Sequence, residues 1–147
     1  MTSYHLDVFA QRPYKSPDQW ACENRIMPLT NRLLSYVETP YLQEPTRAFG
    51  DLATTYKIVV SCPSQCGKSC AIENCIGWIA LFHPRNTLVI FDTKLNSQQF
   101  SKTRLRPYLR DTIHLAAFDD TTAENRRNDK YKDVSHYTLA PGASLML

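Results

Sequence analysis

The sequence predicts an α/β domain in which a parallel sheet is flanked by helices. Three stretches carry that prediction. Tyr56-Lys57-Ile58-Val59-Val60 is a short β-branched and aromatic run, the composition of a strand buried on both faces. From Lys68 to Phe82, apolar residues recur at Ile72, Cys75, Ile76, Ile79 and Ala80, the 3–4 spacing of a helix. Asn86-Thr87-Leu88-Val89-Ile90-Phe91-Asp92 is a second apolar run of strand character. Strand, helix and strand in that order form one βαβ unit, and such a crossover places its two strands parallel.

The link between the first strand and the helix carries the chemistry. Cys62-Pro63-Ser64-Gln65-Cys66-Gly67-Lys68-Ser69 fits G-x-x-x-x-G-K-[ST] at every defined position except the first, where Cys62 stands for Gly. Gly67 lets the backbone turn tightly and approach a phosphate with no Cβ in the way. The amides of Ser64, Gln65, Cys66, Gly67, Lys68 and Ser69, at the positive end of the following helix, form an anion nest. Lys68 is expected to reach the β- and γ-phosphates of ATP, as the catalytic cation, and the Ser69 hydroxyl to sit on Mg²⁺. A bare G-K-S is common by chance. With IVVS before it and a helix after it, the reading is a P-loop NTPase of the RecA/ASCE kind.

The rest of the chain is arranged around that loop. Pro13 and Pro17 punctuate an irregular N-terminal arm. Ser16-Pro17-Asp18-Gln19 then has the signs of a helix start, with Ser16 as N-cap, Pro17 at the first helical position and Gln19 as capping-box partner. This helix is expected to run to about Ile26, anchored by Trp20. Residues 1–40 thus make an arm and a helix, and residues 41–147 the front part of the ATPase domain.

Thr39-Pro40-Tyr41 through Pro45 is a proline-bracketed turn leading into a short helix, Pro45 to Phe49. In P-loop motor ATPases an aromatic residue or Gln just before the first strand contacts adenine, which makes Tyr41 and Gln43 candidates. Simple packing of Tyr41 under the turn is the competing reading. Asp92 follows the second strand, where ligands approach open α/β sheets; it reads as an N-cap of the next helix in preference to a metal ligand.

That next helix spans Leu95 to Leu109, anchored by Leu95, Phe100, Leu105 and Leu109 and stopped or kinked at Pro107. Lys102, Arg104, Arg106 and Arg110 on it read as a solvated face, with a phosphate contact as the sharper alternative. Asp119 to Asp133 is charged and without apolar period, the composition of a surface excursion. His136 to Leu139 and Ala143 to Leu147 suggest a hairpin through Pro141-Gly142.

Composition narrows the function. In 147 residues, 17 basic and 14 acidic side chains give a net charge of +3, with the excess confined to residues 61–147. This is not the dense basic stripe of a dedicated DNA-binding domain. No apolar run is long enough to span a bilayer, and the N-terminus lacks the layout of a signal peptide, so a cytoplasmic protein is expected. The five cysteines, Cys22, Cys62, Cys66, Cys70 and Cys75, form no CxxC pair and are expected to be reduced, buriable side chains, not metal ligands.

Taken together, several of these residues resemble a family. Trp20, Thr39-Pro40-Tyr41 with Glu44-Pro45, Gln65-Cys66-Gly67-Lys68-Ser69, Asn86-Thr87-Leu88-Val89-Ile90, Phe100-Ser101, Arg104-Leu105-Arg106-Pro107 and Arg110-Asp111 follow the order and spacing of tailed-phage terminase large subunits of the lambda GpA type. The likeness covers roughly residues 15–147, within the N-terminal ATPase region. It implies an ATP- and Mg²⁺-dependent motor in the bacterial host's cytoplasm that drives double-stranded DNA into a capsid. It also implies a terminase small subunit, a phage portal or procapsid and further copies of the chain as partners. The family commonly departs from Gly at the place of Cys62.

The resemblance also sets an expectation of incompleteness. No apolar strand ends in the Asp-Glu pair that holds Mg²⁺ and orients the attacking water, and Asp119-Asp120 follows a segment without β-branched residues. The acidic cluster of the family's nuclease is missing too. The sheet is therefore expected to be incomplete at the C-terminus, with little or no hydrolysis by this chain alone. The alternatives are a catalytically incomplete nucleotide-binding remnant, or another P-loop ATPase such as a helicase-like protein.

Overall fold

The longest helix of the described residues, Lys68–Phe82, packs against the two α-helices that precede it. In the computed structural model, residues 13–28, 30–51, 53–112, 114–116, 136–140 and 143–147 are described. Helix α1 spans Pro17–Asn24, the two-residue strands β1 and β2 span Ile26–Met27 and Arg32–Leu33, and a 3-10 turn at Pro40–Leu42 runs into α2, Gln43–Ala48. Helix α3, Lys68–Phe82, is followed by β3, Thr87–Leu88, and α4, Lys94–Phe100. A π-helical segment, Ser101–Leu105, leads into α5, Arg106–Asp111, and strands β4, His136–Ala140, and β5, Ala143–Met146, complete the set.

Helix α1 begins as its sequence predicts. Ser16 is extended at φ −65° and ψ 154°, Pro17 takes the first turn, and the Ser16 amide donates to Gln19 Oε1 at 3.4 Å. The helix ends at Asn24, and Trp20, 2% exposed, is its buried anchor. Helices α1, α2 and α3 pack on one another, and Trp78 of α3 sits fully buried at their centre. Its ring stacks on Phe82 at 5.9 Å and meets Phe49 edge-on at 6.4 Å, and its indole N–H donates to the Lys15 carbonyl at 2.7 Å. Offset and edge-to-face geometry is what the ring quadrupoles favour, and the indole's one polar group is satisfied as burial requires.

Of the apolar positions expected to anchor α3, Ile76, Ile79 and Ala80 are buried, whereas Ile72 is 44% exposed. Glu73 and Asn74 are buried in its place because a cation reaches them. Arg25, just past α1, donates through Nη1 to Asn74 Oδ1 at 2.8 Å and through Nη2 to the Glu73 carboxylate. Its guanidinium also lies 4.6 Å over the Tyr108 ring. Arg104 Nε stands 2.8 Å from Glu73 Oε1 as an ion contact without hydrogen-bond alignment.

The sheet is mixed, in the order β3-β5-β4. Strand β3 runs parallel to β5 with Thr87 opposite Leu145 and Leu88 opposite Met146. Strands β5 and β4 are antiparallel, with Tyr137 opposite Leu145 and an irregularity between Thr138 and Ala140. The two strands expected of the hairpin form; Pro141-Gly142 lies outside the described residues, as do Asp119-Asp120 and the charged stretch up to Asp133.

Four expectations need correction. Tyr56–Val60 makes no paired strand: Tyr56 is 98% exposed and Val59 76%. Ile58 and Val60 instead line an apolar cavity of about 380 Å³ together with Leu42, Ile76, Leu88 and Val89. β-propensity expresses itself only against a neighbouring strand, and β3 pairs with β5 instead. The predicted βαβ unit therefore shows its helix and a shortened second strand. Leu95 is 72% exposed, so Phe100, Leu105 and Leu109 alone anchor the helix after β3. The interruption expected at Pro107 falls earlier, as the π segment at Ser101–Leu105, and Pro107 lies in the first turn of α5. Finally, the N-cap of α4 is Thr93, not Asp92: Thr93 is extended at φ −140° and ψ 153°, and its hydroxyl accepts from the Asn96 amide at 3.2 Å. Asp92 accepts from the Asn96 side chain at 2.7 Å.

Candidate functional site

The loop from Cys62 to Ser69 makes its turn with two residues in the left-handed region. Gln65 has φ +60° and Gly67 φ +86°. Alternating left- and right-handed conformations turn successive amides towards one side, which is the geometry of an anion nest. Gln65 bears a strain that Gly67 avoids, and a Cβ at Gly67 would also stand 2.8 Å from Leu42 Cδ1, so that side chain would have to move. Gly67 is also the N-cap of α3, and its carbonyl accepts the first helical bond, from Ala71, at 3.1 Å. The free amides of the first turn of a 15-residue helix therefore open onto the loop.

Pro63, Ser64 and Gln65 are exposed, and Cys66, Gly67, Lys68 and Ser69 half-buried. Lys68 folds back over the loop: its Nζ donates to the Cys62 carbonyl at 2.9 Å and to that of Pro63. It also lies 3.6 Å from Cys66 Sγ. Two main-chain carbonyls are acceptors that a more strongly anionic group can displace. Ser69 follows it in the first turn of α3.

Of the two residues read as adenine contacts, the structure brings one to the loop. The Tyr41 hydroxyl donates to the Cys66 carbonyl at 3.1 Å, and the side chain is half in solvent at 51% exposure. Gln43 donates through Nε2 to Asp18 Oδ2 at 3.2 Å, between α1 and α2. Of the basic residues on the later helices, Arg104 is paired with Glu73 and Arg110 with Asp111, while Lys102 is exposed.

Sequence reasoning missed two groups. One is the buried Arg25–Glu73 pair, whose signal was a Glu-Asn dipeptide inside an otherwise apolar helix. The other is a contact inside the loop, where Cys62 and Cys66 bring their sulfurs to 2.6 Å. Their four-residue spacing was visible, but not that the loop closes on itself there.

Comparison with known proteins gives one result. A family model described as phage terminase large subunit gpA, ATPase domain, matches residues 33–144, a span that includes the 3-10 turn, the loop, α3 and β4 and ends at the start of β5. Neither curated proteins nor solved structures gave a match. The match covers most of the sequence, and the chain belongs to the phage terminase large subunit gpA family, within its ATPase domain.

Proposed function

We propose that this chain binds ATP with Mg²⁺ through residues 64–69 and forms the nucleotide-gripping part of a DNA-packaging motor with a RecA-like core. One observation carries the reading. Gln65 and Gly67 turn the backbone left-handed immediately before α3, and Lys68 lies folded across the same loop. The residues present fit the group: Gly67 takes the left-handed conformation that a glycine adopts without strain, and the lysine bonds main-chain carbonyls that compete weakly with a phosphate. The amides of Ser64 to Ser69 would hold the phosphates, Lys68 would neutralise their charge, and the Ser69 hydroxyl would be a magnesium ligand. Bound magnesium would supply the remaining charge neutralisation.

Turnover requires an oriented water as well as bound phosphate. On this reading the chain alone holds nucleotide and hydrolyses little of it, and the full motor acts on double-stranded DNA with its small subunit and the portal. Calorimetric titration of Mg²⁺-ATP into the wild type and Lys68→Ala, with phosphate release followed in the same samples, tests this. Binding lost in the variant, without release from either, supports it. Lys68-dependent release would show that the chain turns ATP over by itself. No binding by the wild type would overturn the assignment.

A further inference from the structure

Cys62 and Cys66 bracket the phosphate loop, and both are free thiols. Their sulfurs approach to 2.6 Å, while the Lys68 ammonium stands 3.6 Å from Cys66 Sγ and bonds the Cys62 carbonyl at 2.9 Å. We propose that Cys62 and Cys66 are an oxidative modification site: hydrogen peroxide converts them to a disulfide, and the closed ring shuts the loop to nucleotide. The second half rests on the nucleotide reading above; the first does not.

Geometry makes the bond accessible. A disulfide needs about 2.05 Å between sulfurs, so the pair has only about 0.5 Å to close. The chemistry assigns the roles. The adjoining Cys62 thiol, helped by the Lys68 amide and ammonium, holds the Cys66 thiol below its ordinary value. The same contact pushes Cys62 up, and burial pushes up Cys22 and Cys70 and takes Cys75 to about 12. The thiolate is the nucleophile, so Cys66 is the cysteine that reacts first and Cys62 the one that resolves it.

The steps balance. The Cys66 thiolate attacks the peroxide oxygen, the O–O bond breaks, and the leaving hydroxide takes up a proton to give water and a Cys66 sulfenic acid. The Cys62 sulfur then attacks Cys66 Sγ, the S–OH bond breaks, and a second water leaves with the Cys62 proton. Both thiols are oxidised by two electrons in total, and one peroxide is reduced to two waters. The ring so formed encloses Pro63, Ser64 and Gln65, and the Ser64 and Gln65 amides can no longer turn independently towards a phosphate. A dithiol reductant reverses it.

The test uses the full chain treated with hydrogen peroxide, alkylated under denaturing conditions and digested without reductant. Mass spectrometry should find the peptide bearing Cys62 and Cys66 short of two hydrogens and unalkylated, a change reversed by dithiothreitol, with Cys22, Cys70 and Cys75 alkylated. In Cys62→Ser no such bond forms, and Cys66 should be trapped by dimedone as its sulfenic acid. Mg²⁺-ATP affinity of the oxidised wild type should fall by roughly tenfold or more and recover on reduction.

Alkylation of both cysteines after peroxide, or bonds to other cysteines instead, would overturn the site. A mapped Cys62–Cys66 bond with unchanged ATP affinity would overturn the closing of the loop alone. A mapped bond in a chain that binds no ATP even when reduced would uphold the site and count against the nucleotide reading.

Discussion

The Arg25 guanidinium is bonded to the Glu73 carboxylate inside the protein, with side chains only 5% and 2% exposed. It ties the end of α1 to the helix that begins at the phosphate loop, and Arg104 joins the same carboxylate from the π segment. Taking Glu73 away leaves the buried Arg25 charge without water or counter-ion. Glu73→Ala should therefore destabilise the chain by about 3–5 kcal/mol, while replacing both residues, as Arg25→Met with Glu73→Leu, should recover most of the loss. Urea unfolding of the single and double variants measures both. Equal losses in the two would show that shape at this contact matters more than charge.

Gly77 is small because three side chains converge on it. A Cβ there would lie 2.2 Å from Tyr108 Oη, 2.5 Å from Trp20 Cη2 and 2.8 Å from Leu115 Cδ1. None of the three can retreat easily: Tyr108 is 7% exposed, Trp20 2% and Leu115 0%. Gly77→Ala gains helix propensity and should still lose about 1–3 kcal/mol to overpacking, seen as a lower thermal midpoint. A raised midpoint would show that α3 can shift away from α1 and α5.

Asp18 gives the fold an acid-sensitive joint. It accepts from Arg47 Nε at 3.0 Å and Nη2 at 2.8 Å, and from Gln43 at 3.2 Å. Burial pushes its carboxyl up, and the bonds from Arg47 above all outweigh that, so it titrates below its ordinary 3.8. A folded pKa below the unfolded one means that the contribution is fully present above about pH 3.8 and is lost as the pH falls through the folded value. Asp18→Asn should lower the urea midpoint at pH 7, and the gap to the wild type should narrow below pH 3.8. A gap that stays constant with pH would assign Asp18 a purely steric role.

What could be read in the sequence was what depends on neighbours along the chain. Ser16-Pro17 starts α1, Lys68–Phe82 is helical to the residue, and the hairpin strands form on either side of Pro141-Gly142. The exception to the general loop motif at Cys62 left the turn intact, because the left-handed positions are Gln65 and Gly67. What could not be read depends on partners far away in the chain. Tyr56–Val60 has strand composition without a pairing neighbour, and Glu73 looks like a solvated helix residue until Arg25, 48 positions earlier, is placed beside it. Thr93 and Asp92 are both good caps; backbone conformation chose between them.

Tyr41 is where the structure turns a sequence expectation into a choice between two mechanisms. If its ring stacks on adenine, Tyr41→Phe should keep ATP affinity, Tyr41→Ala should lose it, and inorganic tripolyphosphate, which has no base, should bind all three forms equally. If the hydroxyl acts by holding the loop, both variants should weaken ATP and tripolyphosphate alike. The bond to the Cys66 carbonyl at 3.1 Å favours the second pattern. One neutral hydrogen bond supports an effect of about twofold to tenfold, against about 1–3 kcal/mol for a stacked base. Parallel titrations of ATP and tripolyphosphate into the three proteins separate the two, and a Phe variant indistinguishable from wild type would assign the ring, not the hydroxyl, to the ligand.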